Sequence, residues 1–319
     1  MRNESIKGIC HFKRQWVTWS CLFLMMWSFP VLSFAGTGAD ESGVKVTTTG
    51  TAGLPVTQSA TGDLIDRTPY GEINWTQGYI IAYGKGDIPK GLNEDICDSM
   101  AKRAALIDAH ARALEMAQGI NLDGDISVGK YVSKNSRLFY RLKGLVARVK
   151  PFEQYRGNDI YTIKIRVPFY GINGIQTVFL NSYVKQNNKS ISPPPAKGRI
   201  VIDARGTGLK PAMFAKIEDQ TGENVYTAQD VSRSVLQEKG LVQYVTATTI
   251  TQGDIQAKAL KADGRQNSNI VISPGDAGKM KQAGSVNVIV ITDSPVGGPE
   301  GSLYFMFASS FKRKNAHNQ

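Results

Sequence analysis

Cys97 and His110 come first among the residues that could do chemistry, because a cysteine beside an imidazole base makes a nucleophile. Histidine is scarce. Of the 3 in the chain, His11 lies in an N-terminal targeting segment and His317 in the C-terminal tail. Both candidates fall on one helix-forming segment, thirteen residues apart. That spacing separates them by roughly 20 Å along the axis and about 220° around it, so one chain cannot bring them together. Cys97 is therefore read as a small buried residue beside the apolar stripe of that helix. The same shortage of Cys and His argues against a metal site of the common kind.

Carboxylates are the remaining candidates. Asp203, Glu218 and Asp219, with Asp123 and Asp125, could supply an acid pair, but turn formation is the reading adopted for them. The run Asn121-Leu122-Asp123-Gly124-Asp125 looks like a calcium loop, yet Val132 stands where its twelfth position needs a bidentate Glu. Gly206-Thr207-Gly208 after a strand has the outline of a dinucleotide loop, with Pro211 in place of the third glycine. Gly84-Lys85-Gly86 reads as a generic turn. No catalytic, cofactor-binding or metal residue is assigned, and no cofactor is expected.

The elements that would hold these residues point to an α+β fold. Ile73 to Tyr83 is strand-like and is followed by one long amphipathic helix. Asn93 is its N-cap, with Glu94 and Asp95 in the first turn where the helix dipole favours negative charge. Ile96, Met100, Ala104, Ile107, Ala111, Leu114 and Gln118 recur at steps of three and four, the stripe expected to lie on a sheet. Gly119 suits the C′ position. Gly144 to Tyr155 and Ile160 to Val167 read as two antiparallel strands joined at Arg156 to Asp159, with Tyr161, Ile163, Ile165 and Val167 on the buried face.

A second, smaller mixed α/β domain follows. Arg199 to Ala204 is a short buried strand, and Phe214 to Asp219 with Asn224 to Thr227 forms a hairpin around Gln220 to Glu223. Asp230 to Lys239 is a helix stopped by Gly240, and Asn269 to Ser273 and Val286 to Thr292 are further strands. The expected organisation is a signal peptide at 1–35, a flexible linker at 36–67, an α+β domain at 68–186 and a Pro-rich linker at 187–198. The second domain spans 199–311 and a basic tail 312–319.

The signal segment combines Lys7, Lys13 and Arg14 with the apolar run Val17 to Phe29, and Ser33-Phe34-Ala35 places cleavage after Ala35. The run falls short of the roughly 20 residues that span a bilayer. Arg2, Lys7, Lys13 and Arg14 against Glu4 remove a net +3, so the formal +11 becomes about +8 after cleavage. Cys97 then stands alone, which leaves no internal disulfide. The positive charges read as scattered, with one tight cluster at Lys312-Arg313-Lys314 taken as a solvated end. No basic stripe with interleaved aromatics stands out, and nucleic acid is not an expected partner.

Trp75, Gly78, the run Ala82-x-Gly84-x-Gly86 and a helix carrying Ala101, Arg103, Ala104, Ala105, Asp108 and Ala109 resemble the LPP-twenty lipoprotein-like domain. That family is related to the N-terminal domain of the flagellar assembly protein T. The resemblance covers about 68–175, where the strand pair ends in Pro168-Phe169-Tyr170-Gly171. It implies an envelope protein of structural or assembly type, with no catalytic residues to carry over. Cys21 sits inside the apolar core behind Thr18-Trp19-Ser20, so the lipidation site of lipoprotein members is missing.

The function expected is that of a secreted, non-enzymatic scaffold, periplasmic or associated with the outer membrane. Its expected partners are envelope proteins or cell-wall components, with peripheral membrane association allowed. The alternative is a carboxylate-based hydrolase acting on an envelope polymer.

Overall fold

Small side chains decide how the long helix of the first domain meets its sheet. The computed structural model describes residues 62–91, 93–183, 199–283 and 287–293. The signal segment, most of the N-terminal linker, the Pro-rich linker and the basic tail expected from the sequence lie outside those residues. The fold is α+β: a long helix on an antiparallel sheet, followed by a mixed α/β unit.

The first sheet contains β1 (Ile65–Thr68), β2 (Gly71–Asn74), β3 (Tyr79–Asp87), β4 (Pro151–Arg156) and β5 (Ile160–Pro168), in the order β1-β2-β3-β5-β4. Every neighbouring pair is antiparallel. Two expectations change here. The single strand at Ile73 to Tyr83 is a hairpin, turned at Trp75 to Gly78 with Gly78 at φ 69°. β1 takes residues assigned to the flexible linker, and Leu64 just before it is 1% exposed.

Helix α1 (Glu94–Gly119) starts at the expected cap, where the Asn93 side chain accepts from the Asp95 amide at 2.9 Å. Gly119 is its last helical residue, and Ile120 leaves in an extended conformation. The face laid on the sheet is not the expected one. Cys97, Ala101, Ala105, Ala109, Ala113, Met116 and Ala117 are buried, whereas Ile96, Met100 and Ile107 are 52%, 50% and 61% exposed. The cause lies on β3. Gly84 and Gly86 are in the strand, not a turn, and a Cβ on Gly84 would collide with the Ala105 carbonyl oxygen and the Ala109 amide. Glycine below and alanine above let the backbones approach more closely than larger side chains would permit. Arg156 of β4 then clamps the first turns of α1, donating to Asp98 at 2.7 Å and to Glu94 at 2.9 Å.

Two short helices, α2 (Val128–Ser133) and α3 (Ser136–Val146), lie between α1 and β4, and α4 (Gln176–Tyr183) follows β5. The strand expected from Gly144 therefore begins only at Pro151, because Gly144 to Val146 close the last turn of α3. Asn135 caps α3 by accepting from the Leu138 amide at 3.3 Å.

The second sheet contains β6 (Arg199–Asp203), β7 (Ile217–Asp219), β8 (Asn224–Tyr226), β9 (Gln243–Val245), β10 (Ile255–Asp263), β11 (Asn269–Ile272) and β12 (Asn287–Ile291). Their order is β8-β7-β11-β10-β6-β12-β9, with β10, β6, β12 and β9 mutually parallel. Helices α5 (Arg233–Lys239) and α6 (Pro274–Ala283) complete it. The hairpin of β7 and β8 forms as expected, and Gly240 ends α5 at φ 79°.

A continuous buried core runs through both domains. Trp75, in the hairpin turn of the first domain, meets Phe169 at 5.4 Å and Tyr244 of β9 at 5.9 Å, both edge-on. Thr76 donates to the Tyr244 carbonyl at 2.7 Å, and the Gly171 amide donates to Gln237 O at 2.6 Å. The Tyr170 ring sits against Gly78 of one domain and Gly240 of the other, and burial pushes its phenol up to about 12. No helix among the described residues is long and apolar enough to cross a membrane.

Candidate functional site

Each residue singled out for chemistry has a structural place. Cys97 is 4% exposed on the inner face of α1. His110, on the same helix, has Nε2 2.9 Å from the Val149 carbonyl oxygen, and an Nε2–H tautomer donates there. That bond pins the turn after α3 to α1. Among the described residues, no group of three His, Cys, Asp or Glu side chains could hold a metal ion.

The Asn121-to-Asp125 run is the second junction between the domains. Asp123, 7% exposed, accepts from the Asp125 amide at 2.8 Å and the Ile126 amide at 2.9 Å, closing a local turn. The backbone this exposes is used at once by the second domain. Met213 N donates to Asn121 O at 3.0 Å, Phe214 N to Leu122 O at 2.8 Å and Gln266 N to Gly124 O at 2.7 Å. Asn121 Nδ2 reaches Ser268 Oγ at 3.1 Å, a buried bond between the domains. A loop with the outline of a cation site thus works as a plug.

The acids of the second domain occupy separate settings. Asp203 ends β6, and Arg205 Nη2 lies 2.7 Å from its Oδ2. The Arg205 guanidinium holds the Asp203 carboxyl below the usual carboxylate range. In the adjoining glycine loop, Gly206 N donates to Asp293 Oδ2 at 2.7 Å and Thr207 Oγ1 to Ala204 O at 2.6 Å. Both lie where β6 and β12 end, the carboxyl edge at which α/β sheets bind ligands. Here the loop's polar groups bond one another. Asp219 holds the β7–β8 turn, accepting from the Thr221 hydroxyl at 2.6 Å and the Glu223 amide at 3.0 Å. The Thr221 hydroxyl is the main cause of its lowered pKa.

Glu218 differs from these. Burial raises its pKa, and Asp263 and Asp125 add to the rise against Lys216 and Lys261. Asp203, another of the acids that could supply a pair, is distant, because β11 and β10 lie between β7 and β6. Three strand spacings put Asp203 and Glu218 at least roughly 14 Å apart, beyond the about 5–9.5 Å of paired glycosidase carboxylates. The structure does not bring that pair together.

Asp254 was missed in sequence, although its Thr251-x-x-Asp254 turn spacing was a visible signal. The Arg199 side chain grips it through Nε at 3.0 Å and Nη2 at 2.6 Å, and the Thr251 amide donates to it at 2.7 Å. The Arg199 guanidinium, then the Thr251 amide, hold this carboxyl far below its ordinary range. The pair joins the start of β6 to the turn before β10.

A family model described as the second domain of Treponema pallidum Tp0624 matches residues 199–293. Those limits run from the first residue of β6 to the residue whose carboxylate caps the glycine loop. The chain is similar to that domain over the whole second sheet. No curated protein matches the chain.

Proposed function

We propose that the chain is an exported, non-enzymatic envelope protein that scaffolds or assembles other envelope components in the periplasm or at the outer membrane. The observation that carries this reading is the outward ridge of α1. Ile96, Met100 and Ile107 share one face of a three-turn stretch and are each half or more exposed. Alanine fills the inner face, so these larger residues are not needed for the core. An apolar ridge on a long, rigid helix is the kind of surface a partner covers, by the helix-in-groove mode or by packing against another helix. The signal-like segment at 1–35 and the resemblance of about 68–175 to the LPP-twenty lipoprotein-like domain support the envelope setting. They also make a flagellar assembly role the most specific form of the proposal.

A photo-crosslinking amino acid at position 100, activated in intact cells of the source organism, tests this. The expected result is a discrete adduct with an envelope protein or wall fragment, lost when Ile96 and Ile107 are replaced by Asp. Recovery of the uncrosslinked chain alone would count against the proposal.

A further inference from the structure

From Ile126 to Phe152 the chain carries seven Lys and Arg residues and no Asp or Glu. Along the sequence these charges read as scattered. In the fold they lie on α2, α3 and the turn that follows, and all seven are exposed. None has an ion-pair partner among the described residues, whereas three exposed lysines of the second domain, Lys261, Lys279 and Lys281, meet Asp263, Asp276 and Glu223 at 2.6, 2.8 and 2.7 Å. The flanking acids are Asp125 and Glu153, and Glu153 is engaged by Lys164 at 2.9 Å.

Helix α3 organises the face. Leu138, Leu142, Leu145 and Val146 are buried, which turns Arg137, Tyr140 and Arg141 outward. Arg137 and Arg141 lie one turn apart, and Arg148 follows in the closing turn, where its amide donates to Leu145 O at 3.3 Å. Tyr140 beside them is 68% exposed.

We infer that this face of α3 docks on an anionic phospholipid surface. Charge complementarity is the argument: the cations are unpaired among the described residues, and no acid within the segment repels phosphate. A guanidinium fork binds phosphate oxygens two at a time. The arginines are strung over roughly 16 Å along α3 and the turn that closes it. They do not converge on one hollow, and such a row suits many mobile headgroups better than a single small anion. A tyrosine ring with a polar tip suits the interfacial zone. The apolar side of α3 is spent on the protein core, so the contact is peripheral and electrostatic, without insertion. The inference rests on the envelope reading only in choosing lipid over nucleic acid.

Flotation of the full chain with vesicles of equimolar phosphatidylcholine and phosphatidylglycerol, against pure phosphatidylcholine, is the test. The expected result is binding to the anionic vesicles alone, weakening as salt rises. The triple variant Arg137→Gln, Arg141→Gln, Arg148→Gln should bind them on the order of 100-fold less tightly. Lys261→Gln, Lys279→Gln, Lys281→Gln removes the same charge elsewhere and should keep most of the binding. Circular dichroism checks that both variants fold. Equal binding to neutral vesicles, or equal loss in both variants, would overturn the inference. Displacement by inorganic phosphate at matched ionic strength would assign the face to free anion instead. Duplex DNA bound through the same arginines, with no vesicle binding, would remove both this inference and the envelope setting. Vesicle binding without a crosslink from position 100 would leave this inference standing and remove the protein partner.

Discussion

Gly84→Val lowers the unfolding free energy by about 3 kcal/mol or more, measured by urea denaturation. Strand propensity alone predicts the opposite sign, since valine favours a strand and glycine weakens one. The structure decides between them. A Cβ at this position falls against the Ala105 carbonyl oxygen, the Ala109 amide and the Ala109 methyl. Two of those three are backbone, so no rotamer change relieves the clash and the helix must lift from β3. Ala109→Gly should restore little for the same reason. Gly144→Ala is the contrast. Nothing lies within 4 Å of a Cβ there, the site is inside α3, and a gain of about 0.5–1 kcal/mol is expected.

Trp75→Ala costs about 3–5 kcal/mol, because it empties the place where the two domains share aromatic contacts. Its indole is 6% exposed and touches Phe169 of its own domain and Tyr244 of the other. Truncation leaves a hole lined by both, and the two domains should lose stability together. Tyr155→Ala, at a 68% exposed position on the edge strand β4, should stay within about 0.5 kcal/mol. A matched loss in the two variants would mean that the junction contributes no more than the surface.

Much of the fold was legible because local chemistry and tertiary need agree in these segments. Asn93 caps α1, the β7–β8 hairpin turns on Asp219, and Gly240 stops α5, each through bonds within a few residues. Helix α5 starts three residues later than expected because Asp230 accepts from the Thr227 amide and hydroxyl, leaving Ser232 to cap. The buried face of α1 is not legible from side-chain size, because the larger apolar residues Ile96, Met100 and Ile107 face outward. Only the pairing of Ala105 and Ala109 with Gly84 across β3 shows that small residues make this contact.

β10 is hidden in the sequence because its Ala-Lys-Ala-Leu-Lys-Ala stretch favours helix, and parallel pairing with β6 overrides that preference. In α6, Gly275 and Gly278 weaken the helical pattern that Pro274 and the cap bond from Asp276 N to Ser273 Oγ supply. The candidate carboxylates pose a different problem. Carboxylates in turns look alike in sequence whether they serve a ligand or the backbone. The bonds around Asp123, Asp203 and Asp219 assign these three to the fold.

The Asn121-to-Asp125 loop and Trp75 join the two sheets into one body. Native-state hydrogen exchange under mild urea tests this most directly. The amides of Ile163 and Ile165 in the first sheet and Ile200 and Ile202 in the second should converge on one opening free energy with one urea dependence. Two plateaus separated by more than about 2 kcal/mol, one for each sheet, would contradict it.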